Sequence, residues 1–180
     1  MLTLTHNGIT LKSLSLADIE QVRLWRNAPE IASNMEYTTH ITAQQQLNWF
    51  NQIKTKTNCY YFIISILNKP IGLAHISDVM EQEKSAQVGL FIGELNYVGT
   101  GVAMAASALL LQFAFEDLTL NKLYAKVKNQ NTAAINYNTF LGFNFDEAIN
   151  PNFSQYKITA DNYFKQKPKL QELANIAHQF

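Results

Sequence analysis

The feature that most constrains this chain is an apolar run over residues 102–114, which directly follows a Gly-Thr-Gly turn at residues 99–101. Only Ser107 and Gln112 interrupt the run. It is shorter than the ~20 apolar residues that a membrane span needs, and a helix that is apolar on nearly every side is stable only when other parts of the protein cover it. The run therefore predicts a buried helix in a packed domain and not a membrane segment.

The composition is typical of a single folded domain with no general attraction for nucleic acid. Apolar residues make up 47% and charged residues 16% of the 180 residues, which is enough for a sizeable core. Lys plus Arg is 14 and Asp plus Glu is 14, so no basic excess is available to neutralise a run of phosphates. Cys59 is the one cysteine, which excludes an internal disulfide and a cysteine-based zinc site. The N-terminus lacks the pattern of a signal peptide, so a cytoplasmic location is the default expectation.

Capping signals and periodicity predict the elements around the buried helix. Ser15 with Asp18, and Thr42 with Gln45, have capping-box spacing, so each pair predicts a helix start. Alternating and β-branched segments predict strands. The predicted strands are 10–12, 60–66, 71–79, 86–92, 122–128, 143–145 and 155–159, and the predicted helices are 15–27, 42–53, 102–117 and 131–140. This order predicts an α/β or α+β fold, in which helices cover one sheet.

The chain divides into a domain over residues 1–162 and a short C-terminal tail over residues 163–180. The tail has apolar residues at roughly helical spacing after Pro168, namely Leu170, Leu173, Ala177 and Phe180. This spacing predicts an amphipathic helix that packs on the same domain or meets a second subunit.

The glycines at 99 and 101 predict an anion site. Glycine lets the backbone approach a ligand closely, and the start of the following helix offers unpaired N–H groups and the positive end of its dipole. The alternative is a plain turn before a helix. The Gly-Lys-Ser/Thr of a P-loop is absent, and so is the third glycine of a dinucleotide fingerprint. Gly89, inside a predicted strand, similarly predicts a bulge or a close approach by a ligand.

Three segments resemble the GNAT N-acetyltransferases. Residues 96–101, Asn-Tyr-Val-Gly-Thr-Gly, resemble the family's pyrophosphate loop, Gln/Arg-x-x-Gly-x-Gly/Ala, with Asn96 as a departure at the first position. Residues 131–143 resemble its Asn-x-x-Ala-x-x-x-Tyr-x-x-x-Gly-Phe segment, with Tyr137 taken as the tyrosine. Residues 22–31, which contain Trp-Arg-Asn-Ala-Pro-Glu-Ile, are similar to the opening of one branch of the family. That branch acetylates ribosomal protein N-termini or the 4-amino group of nucleotide-linked amino sugars on the pseudaminic acid route.

The resemblance implies a GNAT fold, with a mixed sheet of about six to seven strands flanked by helices. Two neighbouring strands, 86–92 and 122–128, would splay apart where acetyl-CoA inserts. No metal is implied. The cofactor contacts that the resemblance implies are Leu90, Phe91, Ile92, Tyr97, Val98, Gly99, Thr100, Gly101, Val102 and Asn131.

The resemblance also implies roles in catalysis and acceptor binding. Tyr137 would be the general acid that protonates the departing thiolate, because a phenol can donate to a thiolate of similar basicity; packing against the core is the alternative. His75 is the candidate general base because its ordinary pKa suits neutral pH. Asp78, Glu94 or a water chain are alternatives for that role. On the acceptor side we expect four contacts, which are Arg26, Asn27, His40 and Asp78.

The expected reaction is transfer of acetyl from acetyl-CoA to a primary amine. The expected acceptor is a nucleotide-linked 4-amino-4,6-dideoxy sugar for surface or flagellin glycans. The alternatives are the N-terminus of a protein, or a module that senses acetyl-CoA without turnover. A homodimer is a further expectation from the resemblance.

Overall fold

The structure is a computed structural model that describes residues 2–176, with side-chain exposure described through residue 172. One eight-stranded sheet has the order β1-β2-β3-β4-β5-β6-β8-β7. Its neighbours pair antiparallel, except β5 and β6, which pair parallel. The strands are β1 Thr3–His6, β2 Ile9–Ser13, β3 Tyr60–Ile66, β4 Lys69–Met80, β5 Ser85–Ile92, β6 Lys122–Lys128, β7 Asn144–Asn150 and β8 Phe153–Thr159.

Within residues 2–176, six α-helices connect or cover these strands. They are α1 Ile19–Asn27, α2 Pro29–Ala32, α3 Ala43–Lys54, α4 Val102–Gln112, α5 Thr132–Phe140 and α6 Ala160–Ile176. Short 3-10 turns precede α1 and α4, and a π-helical turn over Phe113–Asp117 continues α4. The predicted α/β class with a mixed sheet and flanking helices is confirmed. None of the described helices combines the length and the apolarity that crossing a membrane would require.

The sheet has one strand more than the sequence prediction, because an N-terminal hairpin was missed. β1 pairs with β2 from Thr3↔Lys12 to His6↔Ile9. Asn7 and Gly8 join the two strands, with φ of 50° and 78°. Positive φ at both central residues is the geometry of the tight hairpin turn that Asn-Gly favours. That dipeptide was therefore the signal that the prediction overlooked.

The predicted buried helix is confirmed. Val102, Ala106 and Ala114 are 0% exposed, and α4 packs against α6 and several strands within the main core. A smaller core lies on the opposite face of the sheet, where Trp25 of α1 packs on Ile63 and Leu73. The sheet is therefore covered on both faces, which leaves the ends of its strands as the place for a cleft.

Both predicted capping boxes are present. The Gln45 backbone N–H donates to the Thr42 hydroxyl at 3.2 Å, and the Thr42 N–H donates to the Gln45 side chain at 2.8 Å. The Ser15 N–H donates to the Asp18 carboxylate at 2.9 Å. The turn between β3 and β4 is formed by Leu67 and Asn68, which both take positive φ, and β4 begins at Lys69, two residues before the predicted start at residue 71.

The C-terminal helix begins at Ala160, well before Pro168, and contains that proline. Tyr163 and Leu170 are each 2% exposed and belong to the main core. α6 therefore packs on the same domain, and the predicted boundary at residue 162 falls inside it. The side chain of Leu173 and the residues Ala177 and Phe180 lie outside the described part of the chain.

Candidate active site

A gap between β5 and β6 forms the floor of the candidate site. The two strands pair only through Ser85↔Lys122, Ala86↔Leu123 and Gln87↔Tyr124. β5 then continues to Ile92, paired with β4 alone, while β6 continues to Lys128, paired with β8 alone. The splayed strands that the resemblance implied are confirmed. The backbone of residues 88–92 therefore has an open edge, where an extended ligand can form hydrogen bonds as a strand would.

The glycine loop lies between the open edge of β5 and α4. Gly99 and Gly101 take φ of 80° and 86°, and no heavy atom lies within 4 Å of the position that a Cβ would occupy on either. Glycine is therefore required for backbone conformation and not for space. The first helical bond of α4 runs from the Ala105 N–H to the Gly101 carbonyl at 3.1 Å, so the N–H groups of residues 102–104 in the first turn are available to an anion. The N–H groups of Val98 and Thr100 already donate to backbone carbonyls of the loop.

The glycine loop is held by an internal hydrogen bond, is exposed at Val98, and has a lysine beside it. The Thr100 hydroxyl donates to the Tyr97 carbonyl at 2.7 Å, and Val98 is 59% exposed. Lys69 places its ammonium 5.3 Å from the centre of the Tyr97 ring, which adds positive charge beside the loop. The site thus fits the pyrophosphate of a CoA thioester through backbone N–H groups, a helix dipole and a nearby cation.

Replacing Gly101 with Ala should weaken binding of CoA by about 5- to 30-fold, because a left-handed conformation costs an L-residue roughly 1–2 kcal/mol. Gly8→Ala is a matched control, since Gly8 also has positive φ and open space around it but lies in the β1–β2 turn. Calorimetric titration with CoA and thermal melts would separate the effects. Both variants should lose stability, and an equal loss of CoA affinity in both would contradict the loop assignment.

Gly89 is not a bulge. It pairs in register with His75, and a Cβ on Gly89 would lie 2.6 Å from the His75 imidazole. The close approach that the glycine predicted is therefore made by the His75 side chain and not by a ligand. His75 also stacks on Tyr61, with ring centroids 5.3 Å apart.

The three candidate bases are constrained in different ways. Burial lowers the pKa of His75 to about 4, so its imidazole is neutral at pH 7 but is a weak proton acceptor. Glu94 accepts a hydrogen bond from the Trp25 indole at 3.0 Å. Asp78 is exposed, and the Ser77 hydroxyl lies 3.3 Å from its carboxylate. The premise that His75 keeps an ordinary pKa was therefore wrong, and its role as the base stays a prediction.

The lowered pKa of His75 predicts that stability depends on pH. The unfolded chain binds a proton at this histidine near pH 6.5 and the folded chain only near pH 4. The stabilisation is therefore complete above pH 6.5 and is lost as the pH falls from 6.5 to 4, by a contribution on the order of 3 kcal/mol. Urea unfolding from pH 7 to 4 should show a shallower decline for His75→Phe than for the wild type. Identical slopes would contradict this assignment.

Tyr137 does not occupy the motif position that was assigned to it. In the family segment the tyrosine stands four residues before the glycine, and four residues before Gly142 is Asn138. The match was therefore wrong by one residue. The Tyr137 hydroxyl donates to the Ala103 carbonyl at 2.8 Å and lies 2.6 Å from the Ser107 hydroxyl, both on α4. The acid role stays a prediction that now depends on this geometry and not on the motif.

The Trp-Arg-Asn segment divides into two structural residues and one arginine. Trp25 is 5% exposed, and its ring meets Phe91 edge to face at 6.4 Å, near the end of β5. The Asn27 amide donates to the Ile41 carbonyl at 2.9 Å and accepts from the Ile41 N–H at 2.8 Å. Asn27, predicted as an acceptor contact, therefore uses its amide to hold the segment before α3.

Arg26 contributes a buried nitrogen that the described residues leave without a partner. This nitrogen is the guanidinium Nε. Burial lowers the pKa of the guanidinium, and the nearby Tyr61 hydroxyl opposes that shift. A buried charged donor without an acceptor is costly. Because Nε itself is closed to solvent, an anionic or carbonyl oxygen of a ligand on this face of the sheet would have to pair with the two terminal nitrogens of the guanidinium.

His40 and Asn131 are two further predicted contacts. His40 is exposed, in the segment 33–41 between α2 and α3. Asn131 caps α5, accepting from the Ala134 N–H at 3.0 Å, and its predicted contact with the cofactor is not tested. No group of three His, Cys, Asp or Glu side chains within the described residues could hold a metal ion.

The sequence reasoning missed two lysines that tie the segment 33–41 to β6. Lys126 pairs with Glu36 at 2.6 Å, and the Lys128 ammonium donates to the Ser33 carbonyl at 2.8 Å. These contacts join residues about ninety positions apart. Local patterns in the sequence therefore gave no signal for them.

Comparison with protein families finds a match to the acetyltransferase (GNAT) domain over residues 9–144. Two curated relatives are similar in sequence. The uncharacterized N-acetyltransferase p20 of Bacillus licheniformis is 26% identical over 148 residues, covering 79% of this chain and 83% of the relative. The acetyltransferase PseH of Campylobacter jejuni is 27% identical over 122 residues, covering 68% of this chain and 74% of PseH.

Many solved structures are similar in fold, among them the following two. Spermidine N-acetyltransferase from Vibrio cholerae, in complex with CoA and spermine, superposes with a TM-score of 0.79 at 20% identity, covering 88% of this chain and 99% of that one. Apo FdhC, a nucleotide-linked sugar GNAT, superposes with a TM-score of 0.82 at 19% identity, covering 96% and 98%.

Proposed function

The chain belongs to the GNAT acetyltransferase family and is an acetyl-CoA-dependent N-acetyltransferase, and from this premise we propose that its acceptor is an anionic amine. The specific acceptor that we propose is a nucleotide-linked 4-amino-4,6-dideoxy sugar, acetylated on its 4-amino group. The observation that carries this proposal is the buried Arg26 Nε, which has no acceptor among the described residues. Nε is closed to solvent, so an acceptor phosphate would pair with the two terminal nitrogens of this guanidinium, whose charge no acceptor at Nε offsets.

The comparisons support two classes of acceptor, and charge separates them. FdhC is a nucleotide-linked sugar GNAT, while the Vibrio cholerae neighbour is a spermidine acetyltransferase. A polyamine is a cation, and placing it beside the Arg26 guanidinium would be repulsive. A nucleotide-linked sugar carries a diphosphate, so its charge is complementary to that of Arg26. The alternative acceptor that remains is the N-terminus of a protein.

In the reaction that we propose, the protein first positions acetyl-CoA next to the acceptor amine. The loop at residues 97–102 holds the pyrophosphate and the open edge of β5 holds the pantetheine arm, which makes attack by the acceptor effectively unimolecular. The amine nitrogen bonds to the thioester carbon, and backbone N–H groups at the open edge stabilise the oxyanion that forms. The carbon–sulfur bond then breaks, and Tyr137 gives the thiolate a proton.

The amine must also lose a proton. The low pKa of His75, about 4, makes that imidazole a weak base for an ammonium group. Asp78 is solvent-exposed. We propose that water on the acceptor side of the cleft carries the proton away.

Product mass spectrometry tests the acceptor. The purified chain and acetyl-CoA would be incubated separately with nucleotide-linked amino sugars, with spermidine, and with peptides that have free N-termini. We expect the mass of one added acetyl group on the sugar nucleotide. Acetylation of spermidine alone or of peptides alone would overturn the proposed acceptor and leave the acetyltransferase assignment intact. CoA binding without transfer to any of the three pools would also overturn the proposed acceptor and would point to a different amine.

A further inference from the structure

Ser107 is the polar exception in an otherwise apolar stretch of α4. It is 4% exposed, and its neighbours Ala105, Ala106 and Leu109 all belong to the main core. A buried hydroxyl needs a hydrogen-bond partner. In the middle of a helix a serine usually donates to the carbonyl four residues earlier, which here is the carbonyl of Ala103.

That carbonyl is already used by another side chain. The Tyr137 hydroxyl donates to the Ala103 oxygen at 2.8 Å. The Tyr137 and Ser107 oxygens are 2.6 Å apart. Since Tyr137 has a single hydroxyl hydrogen and gives it to Ala103, the hydrogen between the two oxygens belongs to Ser107. The order of donation is therefore Ser107 to Tyr137 to the Ala103 carbonyl.

From this arrangement we infer that Ser107 is a positioning residue for Tyr137, and that it stabilises the phenolate that forms when Tyr137 protonates the leaving thiolate. The inference rests on the proposed function. Tyr137 stands one residue before the motif position of the family's tyrosine, so its hydroxyl meets α4. Ser107 is the side chain that fixes the hydroxyl there.

The proton balance of the step is complete. The carbon–sulfur bond breaks and its electron pair stays on sulfur. The Tyr137 hydrogen turns from the Ala103 carbonyl to the sulfur, which leaves a phenolate that still accepts the Ser107 hydrogen. Water, which has taken the proton of the amine, returns one to the phenolate. Burial raises the pKa of Tyr137 and the Ser107 hydrogen bond opposes that shift, as expected for a donor that favours the phenolate.

The test is the steady-state kinetics of Ser107→Ala and Ser107→Thr. Because a hydrogen bond to a charged oxygen is worth more than one to a neutral oxygen, we expect kcat of Ser107→Ala to fall on the order of 10- to 100-fold. The affinity for CoA should stay the same. Ser107→Thr keeps the hydroxyl and should recover most of the rate. Ser154→Ala is a matched control. Ser154, on β8, is also buried and donates a hydrogen bond to Asn129 at 2.7 Å, and this bond does not involve Tyr137.

A double-mutant cycle decides between positioning and a merely structural role. In the Tyr137→Phe background, Ser107→Ala should have no further effect on kcat, because the oxygen that it serves is gone. An equal loss of kcat in both backgrounds would overturn the inference, and so would an unchanged kcat in Ser107→Ala.

If the wild type binds CoA but transfers no acetyl group, the proposed function fails and this inference fails with it. An active wild type with an insensitive Ser107 overturns the inference alone. Ser107→Cys, which has a similar size and a weak donor, replaces Ser107→Ala if that variant does not fold.

Discussion

Replacing Tyr137 with Phe is expected to lower kcat by about 100-fold or more, the usual contribution of a positioned general acid. The dissociation constant for CoA should change little, because we propose that the pyrophosphate contacts come from the loop at residues 97–102 and not from Tyr137. Burial raises the pKa of Tyr137, so the phenol keeps its proton through neutral and mildly alkaline pH. We therefore expect no alkaline loss of kcat from this group up to about pH 10. Steady-state assays of CoA release measure kcat, and calorimetric titration measures the dissociation constant for CoA.

Tyr163→Phe is the matched control for that prediction. The Tyr163 hydroxyl donates to the carboxylate of Glu116, and the side chain is 2% exposed between α6 and the main core. Removing its hydroxyl should lower the melting temperature and leave kcat unchanged. If Tyr137→Phe behaves in the same way, losing stability but not rate, then Tyr137 is only a bridge between α5 and α4. The thiolate would in that case leave without a tyrosine acid.

Replacing Arg26 with Met is expected to change function and stability in opposite directions. KM for the acceptor should rise about 10- to 100-fold, because hydrogen bonds to charged groups are worth about 1.5–3 kcal/mol. The free energy of unfolding should rise, since the variant removes a buried donor that has no partner among the described residues. Met keeps much of the aliphatic volume of the side chain, so the packing of α1 is preserved.

Kinetics with the acceptor and thermal melts without it would test both directions. Arg26→Lys keeps the charge but loses the planar fork, so it should recover only part of the acceptor affinity. A fall in stability in Arg26→Met, with KM unchanged, would show that Arg26 has a structural partner. That result would remove the main support for an anionic acceptor.

The cofactor half of the site could be predicted from the sequence because its signals are local. The glycines at 99 and 101 and the apolar run after them are adjacent in the chain, and positive φ and helix burial are local demands. The capping residues Thr42 and Gln45 are three positions apart and formed the predicted contacts. The Asn7-Gly8 dipeptide was also a local signal, and it would have predicted the β1–β2 hairpin.

The acceptor half was decided by tertiary structure. Lys126 on β6 meets Glu36, which lies ninety positions earlier in the segment before α3. His75 lies over Gly89 because β4 and β5 pair in that register. The low pKa of His75 and the unpaired Arg26 Nε come from burial, which depends on every element that packs around them. Likewise, the sequence places a tyrosine at position 137, but only the packing of α5 on α4 brings its hydroxyl to Ser107. The residues and their backbone preferences are set by the sequence, while contacts, solvation and pKa values are set by the fold.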